Sequence, residues 1–355
     1  MVREDLFHSI LGKDFGPLSL STQSFSIHGL SLNVTSNSSF ILDSVQELLR
    51  YFRRPGKIRR SKVNFHLLES PLTAFRPLGT IRRRGRLLYD SKRDDELGLS
   101  REMEIHLRYF AWDSLFLADF GSRGVFLLDP TEGAGIGLFP DPASFHPGIF
   151  SNFVFLVGLS EILRSKELFL IHGGALEKWG KGILIPGFTG SGKTTLTLAL
   201  LRQGFRFLSD DRPFLRENGE GFDLLAFPEE IDVTEETRSF FPELRGLPDH
   251  LLKWGPQKRR FWVETVYPDS ILDGCVPKVL LFPEIADQER SRLEPLSKIE
   301  AIGRLLPHTL LVFESTIARR QFHLLCQLVE GMECYCLHFG RDILQVHRVV
   351  EEIIG

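Results

Sequence analysis

ILIPGFTGSGKTTLTLALL, Ile183 to Leu201, decides how the rest of this chain is read. It opens on an apolar run, turns through three glycines and continues as apolar residues at helical spacing. Gly187, Gly190, Ser191, Gly192, Lys193 and Thr194 satisfy G-x-x-x-x-G-K-[ST], with a predicted strand before and a predicted helix after. Glycines let such a loop fold back so that successive N–H groups converge on phosphate oxygens, and the helix beginning near Lys193 adds the positive end of its dipole. The expected cradle is Gly187, Thr189, Gly190, Ser191 and Gly192. Lys193 would reach the β and γ phosphates of a nucleotide, and Thr194 would put its hydroxyl on Mg²⁺ with Thr195 beside it.

After the helix comes GFRFLSDD, Gly204 to Asp211, an apolar strand ending in two adjacent carboxylates. Consecutive strand residues point to opposite faces, so Asp210 and Asp211 can serve one site only where the strand has ended. Pro213 agrees with a turn there. One carboxylate would then reach Mg²⁺ and the other would accept a proton from an attacking hydroxyl. A pair of exposed turn aspartates is the plainer alternative; placement one helix after a phosphate loop favours the chemistry. Upstream, IHGGA at Ile171 to Ala175 sets His172 before two glycines that permit close approach of a ligand. If the hairpin through Trp179 to Gly182 is short, His172 lies at the phosphate end.

Working outward, short apolar runs alternate with helical stretches, which marks an α/β domain. Strands are expected at Leu168 to Leu176, Gly182 to Pro186, Phe205 to Leu208, Pro277 to Phe282 and Cys334 to His338. Helices are expected at Lys193 to Arg202, Ile299 to Leu306, Ile317 to Glu330 and Ile343 to Ile354. The first 140 residues read differently, as β-like runs at Phe25 to Val34, Lys62 to Leu68, Leu115 to Phe120 and Gly124 to Leu128 around one helix, Ile41 to Phe52. The Pro/Gly-rich segment Gly137 to Gly148 is the expected boundary, giving a β-rich α+β module over 1–142 and the nucleotide-binding domain over 143–355. The latter would begin with a buried helix, Ile149 to Leu163.

At 355 residues the chain exceeds one comfortable core, in keeping with two domains. A formal charge of −3 removes the overall basic field that a dedicated nucleic-acid binder needs, and the basic stretches Arg53 to Arg60 and Arg82 to Arg86 read as exposed loops. With 30 Phe against 5 Tyr and 4 Trp, the aromatics mostly supply packing. Cys275, Cys326, Cys334 and Cys336 read as thiols in a reducing compartment, the last two as buried strand residues rather than a metal pair. The charged N-terminal stretch lacks the apolar core of a signal peptide and no uninterrupted span-length apolar run is found, so a cytoplasmic location away from membranes is expected.

The run LIHGGALEKWGKGILIPGFTGSGKTTLTLALLRQGFRFLSDDRPFL, Leu170 to Leu215, closely resembles the P-loop region of bacterial HPr serine kinase/phosphorylase. That family shares its nucleotide-binding core with phosphoenolpyruvate carboxykinase. The resemblance implies an α/β, carboxykinase-like P-loop domain preceded by the smaller β-rich module. It also implies His172 near the phosphates, Lys193 and Thr194 on nucleotide and metal, and Asp210 and Asp211 as metal-site and general-base or acid carboxylates, their roles left open. Where family members acting on HPr carry an E-I-R-G signature and a P-V-R-P-G-R run, this chain has AFPEEIDVTEET, Ala226 to Thr237, and GPQKRRFWVE, Gly255 to Glu264. Glu229 and Glu230 would replace the missing acid and Lys258, Arg259 and Arg260 would neutralise phosphate, but each reads better as part of a solvated loop.

The leading expectation is an ATP- and Mg²⁺-dependent kinase transferring the γ-phosphate to a hydroxyl of a peptide, carrier protein or small molecule. A nucleotide-binding switch or adaptor is the main alternative; the second aspartate argues against it, since a sensor needs one acid for the metal. A carboxykinase-like enzyme would need a second phosphate-binding lysine motif, which is not seen. The resemblance makes a ring-like homo-oligomer reasonable.

Overall fold

The computed structural model describes residues 19–75, 77–93, 105–247, 258–309 and 314–355. The expectation about the N-terminal leader, residues 1–16, and the start of the GPQKRRFWVE segment, residues 255–257, lie outside them. The chain is mixed α/β and divides into two compact units, Met1–Lys166 and Glu167–Gly355.

The first unit is built on strands β1 (Ser21–Ile27), β2 (Leu30–Ser36), β3 (Arg53–Arg54), β4 (Val63–Glu69), β5 (Arg86–Asp90), β6 (Arg108–Trp112), β7 (Leu115–Asp119), β8 (Val125–Asp129) and β9 (Ala134–Phe139). They form one sheet in the order β3-β1-β2-β4-β9-β8-β7-β6-β5. Alternation drives it: in β4, Val63, Phe65 and Leu67 are buried while Asn64 and His66 are half-buried. The run read as one segment from Phe25 to Val34 is a hairpin instead. His28 and Gly29 both take positive φ, 45° and 87°, the pair that a two-residue turn of the right twist requires.

Helix α1 (Ser39–Leu48) ends earlier than expected and continues as a short 3₁₀ turn, Arg50–Phe52. The second basic stretch is not a plain loop. Leu78–Arg84 is helix α2, and Arg82 on it grips the fully buried Asp119 of β7 with two hydrogen bonds, 2.9 and 2.7 Å, while Arg108 adds a third at 2.6 Å. A carboxylate with no solvent access keeps its charge only when paired in this way.

Helix α3 (Pro147–Ser165), with a π-type turn over Phe150–Phe155, belongs to this first unit, not to the nucleotide-binding half as the 142/143 boundary supposed. Its packing explains the correction. Gly158 lies so close to Phe126 that a Cβ would sit 2.1 Å from the ring, Phe155 meets Phe65 edge-on at 5.4 Å, and Glu161 accepts from Tyr109 at 3.0 Å. The helix is long and apolar enough to cross a membrane, but 83% of the relevant window is buried inside the protein. It is a core helix, and the Pro/Gly segment before it is an internal connection.

In the second unit the strands are β10 (Phe169–Leu170), β11 (Gly173–Lys178), β12 (Lys181–Pro186), β13 (Arg206–Ser209), β14 (Phe214–Glu217), β15 (Phe222–Leu225), β16 (Glu230–Val233), β17 (Arg259–Trp262), β18 (Gly274–Ile285), β19 (Arg292–Pro295) and β20 (Glu333–Phe339). The main sheet runs β10-β14-β15-β18-β12-β11-β13, with β20 also on β18 and β19 on β20; β16 and β17 pair separately. Along β12, Ile183 and Ile185 enter one apolar cluster and Leu184 the other, so the sheet has a core on each face. On the first face lie helices α4 (Lys193–Leu201), α5 (Glu235–Phe240) and α8 (Val346–Ile354); on the second lie α6 (Lys298–Leu305) and α7 (Ser315–Glu330).

Candidate phosphate-binding site

Strand β12 delivers the chain to the loop and α4 takes it away. Gly190 and Gly192 adopt φ of 86° and 95°, which side-chain-bearing residues rarely tolerate, and the Gly192 carbonyl accepts the first helical bond from Leu196 at 2.9 Å. The loop amides are thereby gathered at the helix N-terminus. Lys193 is buried and turned back on its own loop, donating to the carbonyls of Gly187 and, at 3.2 Å, Phe188. Burial pushes its ammonium pKa down, against the pull of Asp211 and Asp210. Ser191 Oγ is buried with no hydrogen-bond partner among the described residues.

The β11–β12 hairpin is as short as the site needs. Trp179 and Gly180 make a two-residue turn with φ of 55° and 79°, and Gly173 pairs with Pro186. That register brings His172 level with Gly187. The strand β13 ends at Ser209, and the turn that follows splits the two aspartates as the sequence demanded. Asp210 Oδ2 accepts from the Thr194 hydroxyl at 2.8 Å, while Asp211 Oδ1 lies 3.0 Å from His172 Nδ1. Asp210 is buried, and burial, with Asp211 beside it, raises its pKa. Asp211 goes the other way: burial would raise it, but the charge and hydrogen bond of His172, with Arg212 and Lys193, hold it well below the usual carboxylate range.

The Thr194 hydroxyl and Asp210 carboxylate converge beside the loop as hard oxygen donors, the type that Mg²⁺ takes. Thr197 stands close enough to Asp210 to ease its charge, yet Oδ1 of Asp210 makes no hydrogen bond of full geometry among the described residues. A buried carboxylate oxygen with spare capacity fits a metal ligand. Thr195 instead faces Thr237, the hydroxyls 3.1 Å apart.

Glu229 is the main correction within the site, since it is buried under the aspartate turn rather than solvated. Its Oε1 accepts from Ser209 Oγ at 2.8 Å, from Asp210 N at 2.7 Å and from Asp211 N at 2.8 Å. Burial pushes its pKa up to about 8. Arg260 binds Asp232 at 2.7 and 3.1 Å and lies 3.4 Å from Glu230, and Arg259 binds Glu235. Lys258 is near enough to Lys193 to lower its pKa. Sequence reasoning missed His308, whose ring lies 4.5 Å from that of Phe188 and 5.9 Å from that of His172. A single His in an apolar run carries no signal of this kind.

The paired cysteines lie on β20, both buried. Cys336, Glu284 and His338 offer ligand atoms within 4.8 Å of one another. Arg304 already donates to Glu284 and contacts Cys336, and His338 is bonded to Glu294 at 2.8 Å. The positive charge there is a guanidinium.

No protein-family model matches the chain. Curated proteins do, over short spans. An HPr kinase/phosphorylase of Geobacillus sp. is 35% identical over 68 residues, 19% of this chain and 22% of the relative. That of Chlorobium luteolum is 29% identical over 121 residues, 34% of this chain and 33% of the relative, and that of Pediococcus pentosaceus 42% over 57 residues, 16% and 18%. The chain thus spans a third or less of these relatives' length. Among solved structures, an HPr(Ser) kinase/phosphatase from Coxiella burnetii aligns over 52% of this chain and 88% of its own, at 13% identity and a TM-score of 0.29. On the sequence matches, the chain is HPr-kinase-like, a relative of the HPr kinase/phosphorylases over about a third of its length.

Proposed function

We propose that the second unit binds ATP with Mg²⁺ and transfers the γ-phosphoryl group to a hydroxyl of a peptide, protein or small-molecule acceptor, on a carboxykinase-like nucleotide core. The observation that carries this is the division of labour at one turn: Asp210 faces Thr194 and Asp211 faces His172. Names of the relatives, which are kinases of the protein HPr, support phosphotransfer as the reaction class. The departures at Ala226 to Thr237 and Gly255 to Glu264 leave the acceptor open.

In this reading the loop amides and Lys193 hold the phosphates, Lys193 leaving its own carbonyls to do so. Thr194 and Asp210 hold the Mg²⁺, which supplies charge neutralisation on the phosphates. Asp211, ionised and nearly half exposed at its side chain, accepts the hydroxyl hydrogen, and His172 fixes its direction. A weak base suffices because the transition state of phosphoryl transfer is loose and asks more of positioning than of proton abstraction. Glu229 holds the turn from beneath.

Asp210→Asn and Asp211→Asn test this by calorimetry and ATP turnover. Asp211→Asn should leave Mg-ATP affinity within a few-fold while lowering turnover by roughly 10² to 10⁴. Asp210→Asn should raise the Mg²⁺ concentration needed for binding. Wild-type turnover in both variants would replace the kinase with a nucleotide-controlled switch.

A further inference from the structure

We propose that His308 is a further phosphate-binding group of this site, its Nδ1 donating to an oxygen of the nucleotide's terminal phosphate. This rests on the Mg-ATP reading and deepens it. His308 closes the 3₁₀ turn Leu306–His308, and its backbone is pinned to the strand edge that carries His172. His172 N donates to His308 O at 2.8 Å, and Ile171 bridges Thr309 in antiparallel register. The ring is thereby set between the first residue after Gly187 and His172, 4.5 Å from the Phe188 ring and 5.9 Å from the His172 ring.

His308 is 3% exposed, and its Nδ1 is buried with no hydrogen-bond partner among the described residues. A ring nitrogen held away from water without a partner is unfavourable, and folded proteins keep one where something else completes it. The glycine loop lies beside it: Phe188 is in ring contact, Lys193 is near enough to act on its charge, and Ser191 Oγ of the same loop is also buried and without a partner among the described residues. Burial, with His172 and Lys193 nearby, lowers the imidazole pKa to about 4, so the ring is neutral at pH 7 and has one N–H to give. Its place beside His172, the partner of Asp211, puts it on the side where the proposed reading sets the transferred phosphate.

The experiment compares affinities of the full chain for the β,γ-imido analogue of ATP and for ADP, each with Mg²⁺, by calorimetry. His308→Phe keeps a ring against Phe188 and removes the donor. It should lose about tenfold or more in affinity for the triphosphate, the scale of one hydrogen bond to a charged group, with ADP affinity held within twofold. His308→Asn sets an amide near the Nδ1 position and should recover most of the loss. His308→Gln, whose amide reaches the Nε2 position, should not, so the Asn and Gln pair decides the matter if the Phe variant does not fold. Equal weakening toward both nucleotides, or no change toward either, overturns the proposal and leaves His308 a packing residue. Lys193→Ala separates the two levels: loss of both nucleotides there with an unchanged triphosphate-to-diphosphate ratio in the His308 variants sinks this proposal alone, whereas full binding by Lys193→Ala sinks the nucleotide site itself.

Discussion

Replacing Glu229 by Ala removes one oxygen that three donors share. In the native protein Glu229 Oε1 takes Asp210 N at 2.7 Å, Asp211 N at 2.8 Å and Ser209 Oγ at 2.8 Å. Ser209 Oγ already accepts from Arg212 N at 2.8 Å and from Asp211 N at 3.3 Å, so without Glu229 the Asp211 amide keeps a long, weak acceptor and the Asp210 amide keeps none. A buried donor left without an acceptor costs about 1–3 kcal/mol. One buried amide left without an acceptor, with a second bond weakened, puts Glu229→Ala at about 1–3 kcal/mol against the second unit. Glu229→Gln keeps an acceptor in place. Because burial raises the acid to about 8, the native side chain is largely neutral at pH 7, and Gln should cost under about 1 kcal/mol there. Amide hydrogen exchange at Asp210 and Asp211 reads the turn directly and should quicken in Glu229→Ala but not in Glu229→Gln. Turnover should fall by roughly 10² in the Ala variant, the scale expected from a misplacement of about 1 Å in a catalytic group. Slow exchange at both amides in Glu229→Ala, or equal damage in Gln and Ala, would refute Glu229 as the support of the turn.

In the first unit, Asp119→Ala strips a fully buried carboxylate from Arg82 and Arg108, both about one-third exposed; the expected loss, about 3 kcal/mol, sits at the low end for breaking a buried pair, and unchanged urea unfolding of that unit would contradict it. A chain starting at Ala143 carries α3 away from Phe65 and Phe126, whereas one starting at Glu167 does not; the first should bind an apolar dye strongly or precipitate and the second should not, with the reverse order restoring the 142/143 boundary. Cys275, its pKa pushed up to about 12 by burial with Glu177 and Asp223 nearby, should have a thiolate fraction about 10³ below that of an ordinary thiol of pKa 9.0, so alkylation at pH 8 as fast as that of glutathione would show the thiol to be in water.

Residues close together in the chain were legible without coordinates. Strand β12, the glycine loop and α4 follow one another in Ile183 to Leu201, each with its own local signal, and the carboxylates of Asp210 and Asp211 had to sit beyond a strand end to share a site. The proximity of His172 also follows from local rules once the hairpin is as tight as Trp179 and Gly180 make it. What pattern could not decide was which buried surface each amphipathic or apolar segment would choose. Helix α3 is apolar on nearly every side, so its sequence fits either unit equally well; only the fit of Gly158 against Phe126 and of Phe155 against Phe65 assigns it to the first. Arg82 looked like one charge in a basic loop until Asp119, 37 residues along the chain, met it. Glu229 and His308 reach the loop from 18 or more residues beyond the aspartates, through strand pairings and a 3₁₀ turn that no local periodicity encodes. Short-range propensity and turn chemistry act within a few residues, whereas the burial of a charge or a ring is settled by whatever the rest of the chain brings to it.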